Sequence, residues 1–351
     1  MTTGPAVIVV GISGPSSSGK TTLARLLRTV FAPLEPPPAE PDVDITSFIV
    51  HGDDFYKSDD RIPVTTTSTG KLVQDWDTIE AIDTKQFEDT LIHIRDHAKL
   101  PPKFESKEDF NDITDSGVDK SAVHKARERV FQQLHGELTQ HQNYDRVGIY
   151  SRNTSRIPVS IAFVDGFLLY APPNVPNHAL RRIHDQIDLP LFLPVPYSLL
   201  KQRRDRRTGY MTIGPAPTPK PRNQLNLEEA VSSHEAHTRN LESDHEIDNL
   251  EDNAHTAPLD FWADPPDYVD DIVWPRYLSN YSWLLLPESS AAGPETSVEE
   301  LKMMIGSGTN VREDLGVVIA PGNGQTSMPV LLDWAVDLVV SKVKDILDLQ
   351  T

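Results

Sequence analysis

Gly14-Pro15-Ser16-Ser17-Ser18-Gly19-Lys20-Thr21 is the stretch on which the fold turns. It fits G-x-x-x-x-G-K-[ST], the phosphate-binding P-loop, and each fixed position has a mechanical reason. The glycines let the backbone curl until successive N–H groups converge on one anion. Lys20 brings a positive charge to the β- and γ-phosphates of a nucleotide, and the Thr21 hydroxyl can ligate Mg²⁺. The helix that follows adds its positive dipole end. The flanks agree with this reading. Ala6 to Ile12 is an apolar, β-branched run that reads as a buried parallel strand. Thr22 to Phe31 reads as a helix, with Leu23, Leu26, Leu27 and Val30 at helical spacing. Strand, loop and helix is the context the motif requires. The bland alternative is a Ser/Gly-rich turn beside a chance lysine.

The 351 residues suffice for one large α/β domain or two small ones. The chain is 38% hydrophobic and 24% charged, as in ordinary globular proteins. A net charge of −19 argues against a nucleic-acid polyanion as the main partner. It says nothing against ATP, which the P-loop holds locally. There is no cysteine, which excludes disulfides, zinc–thiolate sites and cysteine nucleophiles. No run approaches the ~20 apolar residues of a membrane span. The first strand begins so near the N-terminus that no signal or transit peptide is expected ahead of it. The expectation is a cytoplasmic protein, also nuclear in the broader reading, with no membrane or nucleic-acid partner. Monomer and homodimer both stay open.

Further along, Pro33 to Pro41 reads as a solvated polyproline-like connector. Ser47 to His51 is a second strand, running into Gly52-Asp53-Asp54-Phe55-Tyr56. Thr78 to about His97 has the pattern of an amphipathic helix. Residues 100–156 are polar and read as an insertion, within which Ser121 to Leu138 suits a charged surface helix. Val159 to Val164, Asp188 to Leu193 and Leu315 to Ala320 supply three more strands. Tyr197 to Arg207, Asp267 to Leu285 and Pro329 to Leu347 read as helices. Residues 211–258 hold few large apolar side chains and read as a disordered loop. Strands alternating with helices predict a parallel sheet covered on both faces, in a single domain.

In such a sheet, ligands bind outside the carboxyl ends of the strands. The P-loop, Asp53-Asp54 and Asp165 all fall there. One of the Asp53–Asp54 pair is expected to serve catalysis and the other to support the loop; an N-cap pair is the plainer reading. Asp165 ends an apolar strand where a carboxylate can hold Mg²⁺ or its water shell, or simply cap a turn. Lys201 to Arg207 is a basic helix that can close as a lid and neutralise phosphate charge, or can be a solvated face. Asp75-Trp76-Asp77 offers a stacking plane between two carboxylates, suited to a flat, cationic, hydroxylated ligand. A staple tryptophan beside acidic capping residues is the alternative.

Taken together, Gly11 to Ala24, Asp53 to Lys57, Asp75-Trp76-Asp77, Asp165 to Tyr170, Lys201 to Arg204, Pro265 to Tyr268 and Val273 to Leu278 resemble the nicotinamide riboside kinase family. That family sits within the uridine-kinase-like P-loop small-molecule kinases. The resemblance implies an α/β three-layer fold with a central parallel sheet, and a lid over 197–285. It implies ATP- and Mg²⁺-dependent phosphorylation of the 5′-hydroxyl of nicotinamide riboside, in pyridine nucleotide salvage. Asp53 would be the base, with Lys20. ATP would lie on Gly14, Ser16, Ser17, Ser18, Gly19, Lys20, Thr21, Thr22, Arg203 and Arg207. The nucleoside would meet Asp53, Trp76, Asp77, Arg204, Tyr210 and Tyr268. Thr21 and Asp165 would serve Mg²⁺. There are departures. Asp165 stands where the family commonly has Glu, Trp76 where it often has Tyr, and Arg207 and Tyr210 are spaced one residue wider. The long insertions resemble the larger fungal members. A uridine or cytidine kinase, and an inactive nucleotide-binding regulatory module, are the competing readings.

Overall fold

Along Ala6–Ser13 (β1), Ile8, Val10 and Ile12 pack to one side of a sheet, and Val7 and Val9 to the other. A strand apolar on both faces must be covered on both, and this one is. The computed structural model describes residues 6–33, 43–106, 115–135, 157–206, 210–213, 259–262, 264–287, 289–290 and 296–348, with the backbone alone at 135, 157, 210–213 and 259–262.

The central sheet has β2 (Val43–His51) at one edge, then β5 (Ile157–Asp165), β1, β6 (Leu189–Phe192) and β9 (Val318–Ile319). Every neighbouring pair is parallel. On one face lie α1 (Lys20–Val30), α3 (Lys120–His135) and α8 (Met328–Asp348). On the other lie α2 (Thr84–His97), α4 (Arg181–His184), α6 (Trp274–Leu285) and α7 (Val298–Ile305). The long α8 buries Leu332, Val336, Val339 and Val343 at helical spacing. Each such side chain contributes about 1.5–3 kcal/mol when removed from water. Two antiparallel hairpins stand apart: β3 (Val64–Thr66) with β4 (Leu72–Gln74), and β7 (Tyr210–Ile213) with β8 (Leu259–Trp262). The basic helix α5 (Tyr197–Asp205) follows β6.

Register brings the site together. Ile12 of β1 and His51 of β2 both pair with Asp165 of β5, and Ser13 pairs with Phe192 of β6. The carboxyl ends of three strands therefore finish at one level, and the P-loop, Asp53 and Asp165 leave from it.

Several elements differ from the sequence reading. The helix expected from Thr78 begins at Thr84, because the Asp83 side chain accepts from the Gln86 N–H at 2.9 Å and caps it there. The stretch before it is a separate 3₁₀ turn, Ile79–Ala81. The helix within the polar insertion is not only a surface element. Ala126, Val130 and Leu134 are buried against α1 and α8. Arg127 donates to the carbonyls of Ala32 and Pro33, just past the end of α1, at 3.3 and 2.6 Å. The helix expected over Asp267 to Leu285 is a π-helical turn, Val269–Val273, followed by α6 with Pro275 in its first turn. Proline fits there because its missing N–H has no intrahelical partner to lose. The stretch read as a loop over 211–258 opens with three residues of β7, and 214–258 lies outside the described residues, as do 34–41 of the proline-rich connector and 107–114 and 136–156 of the insertion.

Candidate active site

The phosphate end is a matter of backbone shape. Gly14 has φ +145°, and a Cβ there would stand 2.3 Å from the Leu193 carbonyl oxygen. Ser17 at φ 60° and Gly19 at φ 96° complete the curl. Gly19 caps α1 without a side chain, so the first N–H groups of the helix remain available to an anion. The Lys20 ammonium folds back over the loop and donates to the Pro15 carbonyl at 2.9 Å. The Ser17 and Ser18 hydroxyls are buried with no hydrogen-bond partner among the described residues. Buried polar groups ordinarily find partners, so these two mark a place for an external oxyanion.

Two carboxylates face that cradle. Asp165 is buried, and Thr21 Oγ1 donates to its Oδ2 at 2.5 Å. Its Oδ1 lies 2.6 Å from His51 Nδ1. Burial alone would raise its pKa, but His51, Thr21 and Lys20 outweigh burial and hold the carboxyl below the usual range. Asp53, in the 3₁₀ turn Gly52–Phe55, is pushed the other way. Burial raises it and the Asp165 charge adds, while Lys20 and His51 pull it down. Its neighbour Asp54 is buried under the turn. Thr21 and Asp165 present oxygen donors beside a second carboxylate whose charge Lys20 and His51 offset only in part. That donor set suits a hard divalent cation bridging to phosphate, which needs only one or two carboxylates. Among the described residues no three His, Asp or Glu side chains form a metal cage.

The opposite wall is aromatic and acidic. Trp76 meets Tyr56 edge to face, with ring centres 5.2 Å apart, and Tyr56 lies 6.3 Å from Phe167 at 24°. The backbone N–H of Trp76 donates to the Tyr268 hydroxyl at 3.1 Å, which itself donates to the Gln74 carbonyl at 3.0 Å. Beneath these, Arg204 is almost fully buried. Its Nε and a terminal nitrogen hold both oxygens of Asp264, at 2.5 and 3.0 Å. The other terminal nitrogen donates to Ser16 Oγ at 2.6 Å. Arg204 also stands 4.0 Å from Asp77 and over the Tyr268 ring at 5.6 Å. Burial drives Asp77 up to about 6, against the pull of Arg204 and with added repulsion from Asp75, Asp264 and Asp53. Asp75 is bound by Arg276 at 2.6 Å. Pro15, Ser16, Asp77, Phe167, Leu168 and Tyr281 help line a narrow indentation beside the P-loop.

The structure thus brings Lys20, Thr21, Asp53 and Asp165 together at the strand ends, and Trp76, Asp77, Arg204 and Tyr268 together beside them, with Arg204 joining the two groups through Ser16. Arg203 reaches the P-loop by donating to the Ser17 carbonyl at 3.2 Å. Thr22 follows Thr21 in the first turn of α1. Arg207 lies outside the described residues, and Tyr210 is placed only as the first residue of β7. Sequence reasoning missed His51 and Asp264. A polar residue closing an apolar strand just before Asp53 was the available signal for the first. An acidic residue heading Asp264-Pro265-Pro266-Asp267 was the signal for the second.

Fold and site together define a P-loop kinase fold of the nucleoside-kinase type. No protein-family model matches the chain. It is 27% identical over 279 residues to nicotinamide riboside kinase of Schizosaccharomyces pombe, covering 80% of this chain and 81% of that protein. It is 26% identical over 285 residues to nicotinamide riboside kinase of Saccharomyces cerevisiae, covering 81% of both. The nicotinamide riboside kinase of Eremothecium gossypii is 26% identical over 277 residues, 79% of this chain and 77% of that one. The chain is a relative of the fungal nicotinamide riboside kinases. No helix among the described residues is long and apolar enough to cross a membrane.

Proposed function

We propose that this protein transfers the γ-phosphoryl group of ATP to the 5′-hydroxyl of nicotinamide riboside, with nicotinic acid riboside as a second acceptor. One observation carries the reading. The phosphate cradle and Asp53 lie beside the group of Trp76, Asp77 and Arg204: Arg204 reaches Ser16 of the cradle at 2.6 Å, and the Asp53 charge acts on Asp77. That is a catalytic carboxylate between a place for phosphate and a place for a flat, cationic nucleoside. The three fungal relatives carry the same activity in their names.

Each residue has a role in this reading. Lys20 and the amides of Ser16 to Thr22 hold the nucleotide phosphates, and Arg203 and Arg207 supply positive charge to them. Asp53 accepts the proton of the 5′-hydroxyl; its raised pKa brings it nearer neutral pH, where a general base works best. Trp76 stacks on the nicotinamide ring, and Asp77, Arg204, Tyr210 and Tyr268 bind the nucleoside. Thr21 and Asp165 would hold Mg²⁺, whose charge, when bound, neutralises the transferring phosphates. The chain works as a single kinase domain in the cytoplasm, with the lid over 197–285.

Purified protein, ATP and Mg²⁺ with a panel of nucleosides tests this. Nicotinamide riboside is expected to have the highest kcat/KM. Uridine or cytidine turnover far above it would select a pyrimidine nucleoside kinase. ATP binding with turnover of no nucleoside would select an inactive regulatory module.

A further inference from the structure

His51 has no role in the reaction as described above, yet it is the side chain that fixes Asp165. It closes β2 and is paired in register with Asp165 across the β2–β5 ladder. It is 3% exposed. Its backbone has little freedom, because the chain turns at once through Gly52, where a Cβ would stand 3.0 Å from the Asp165 carbonyl oxygen and 3.1 Å from Gly166 Cα. The His51 ring therefore reaches Asp165 from a held position, with Nδ1 2.6 Å from Oδ1.

The hydrogen-bond directions then follow. An ionised carboxylate only accepts, so Nδ1 carries a proton and donates it, and Thr21 Oγ1 donates its proton to Oδ2. Both oxygens of Asp165 are engaged, one by each neighbour, and the carboxylate plane is fixed. With its proton committed to Asp165, the Thr21 oxygen keeps its lone pairs for another partner. We propose that His51 is the positioning residue for the metal end of the site: it sets Asp165, Asp165 orients the Thr21 hydroxyl, and the Thr21 oxygen is left to accept a divalent cation. This rests on the kinase reading, but not on the identity of the nucleoside. Partners that orient metal-binding groups typically matter 10–100-fold for metal affinity.

The test compares His51→Asn, whose amide nitrogen falls near the position of Nδ1, with His51→Gln, which moves the donor outward, and with His51→Leu. Calorimetry with a non-hydrolysable ATP analogue is run with and without Mg²⁺, with no nucleoside present. His51→Gln and His51→Leu are expected to lose about 10–100-fold of the Mg²⁺-dependent affinity and to keep Mg²⁺-free nucleotide affinity within about twofold. His51→Asn is expected to stay within about threefold of the wild type in both. Should His51→Leu not fold, the Asn–Gln contrast still decides. Asn and Gln variants that bind alike, or losses equal with and without Mg²⁺, would overturn the assignment alone. A wild-type protein with no Mg²⁺-dependent nucleotide binding would overturn the kinase reading as well.

Discussion

The two walls of the site are held by different forces. On the phosphate side, position comes from the backbone: sheet register sets Ser13, His51 and Asp165, and positive φ angles shape Gly14 to Gly19. On the acceptor side, position comes from side-chain ion pairs. Arg204 is clasped by Asp264, Lys201 and Tyr197 by Asp270, and Asp75 by Arg276. Asp271 ties the same segment to the β3–β4 hairpin through Ser68 at 2.9 and 3.0 Å. A ladder of backbone bonds barely responds to salt or to one substitution, whereas the partly exposed Lys201–Asp270 and Arg276–Asp75 pairs respond to both, and the buried Arg204–Asp264 pair responds to substitution more than to salt. In the proposed function the chemistry falls to the backbone-set wall and recognition to the ion-paired wall.

The largest effect expected from this division is on the backbone-set wall. Asp53→Ala should lower kcat by ~10²–10⁴-fold, as loss of a general base does, with ATP affinity within a few-fold of wild type. Stopped-flow binding and steady-state rates on one preparation separate the two. Near-full turnover in Asp53→Ala, together with loss in Asp54→Ala, would move the base by one residue.

On the other wall, Asp264→Asn should raise the nucleoside KM by about tenfold or more and leave kcat nearly unchanged. It removes a charge-assisted pair worth about 1.5–3 kcal/mol from a buried arginine. A fall in kcat with unchanged KM would show that Asp264 serves the chemical step, and the contrast between walls would fail.

A smaller effect comes from pH. Asp77 titrates at about 6 in the folded protein, above its ordinary value, so its neutral form is the favoured one in the fold. Ionising it costs stability as pH rises through the interval between the free value and about 6. Binding runs the opposite way, because the nucleoside hydroxyls need the ionised acceptor. The nucleoside KM should therefore rise as pH falls, by about fourfold at pH 5.5 relative to neutral, and Asp77→Asn should flatten that limb. A KM limb unchanged in Asp77→Asn would assign the titration elsewhere.

The smallest effect is expected between the strands of the β7–β8 hairpin. Replacing 214–258 with a short Gly/Ser linker should leave the melting temperature nearly unchanged and kcat within about twofold of wild type. The sequence of that stretch holds few large apolar residues, and loop closure depends weakly on length. A large loss of stability would show that it packs on the fold.

The same division explains what the sequence revealed. The P-loop, the strand ends and Asp165 are legible because each is signalled within about ten residues, by β-branched runs, glycines and a following helix. Five strands and their carboxyl-end residues follow from such local patterns. His51 and Asp264 are not legible, because their partners lie 114 and 60 residues away. The buried face of α3 was hidden for another reason. Its Ala126, Val130 and Leu134 make a narrow stripe in an otherwise polar segment, and only the neighbouring α1 and α8 show that it is a core face. The β7–β8 pairing joins strands separated by 45 intervening residues, 214–258, and no turn signal links them.

Phosphorus NMR of a single mixture of the protein, ATP, Mg²⁺ and nicotinamide riboside tests the central claim most directly. One phosphomonoester resonance, growing in step with ADP and assigned to the 5′ position, is the expected result. Release of inorganic phosphate with no phosphomonoester, or no change in ATP at all, would contradict it.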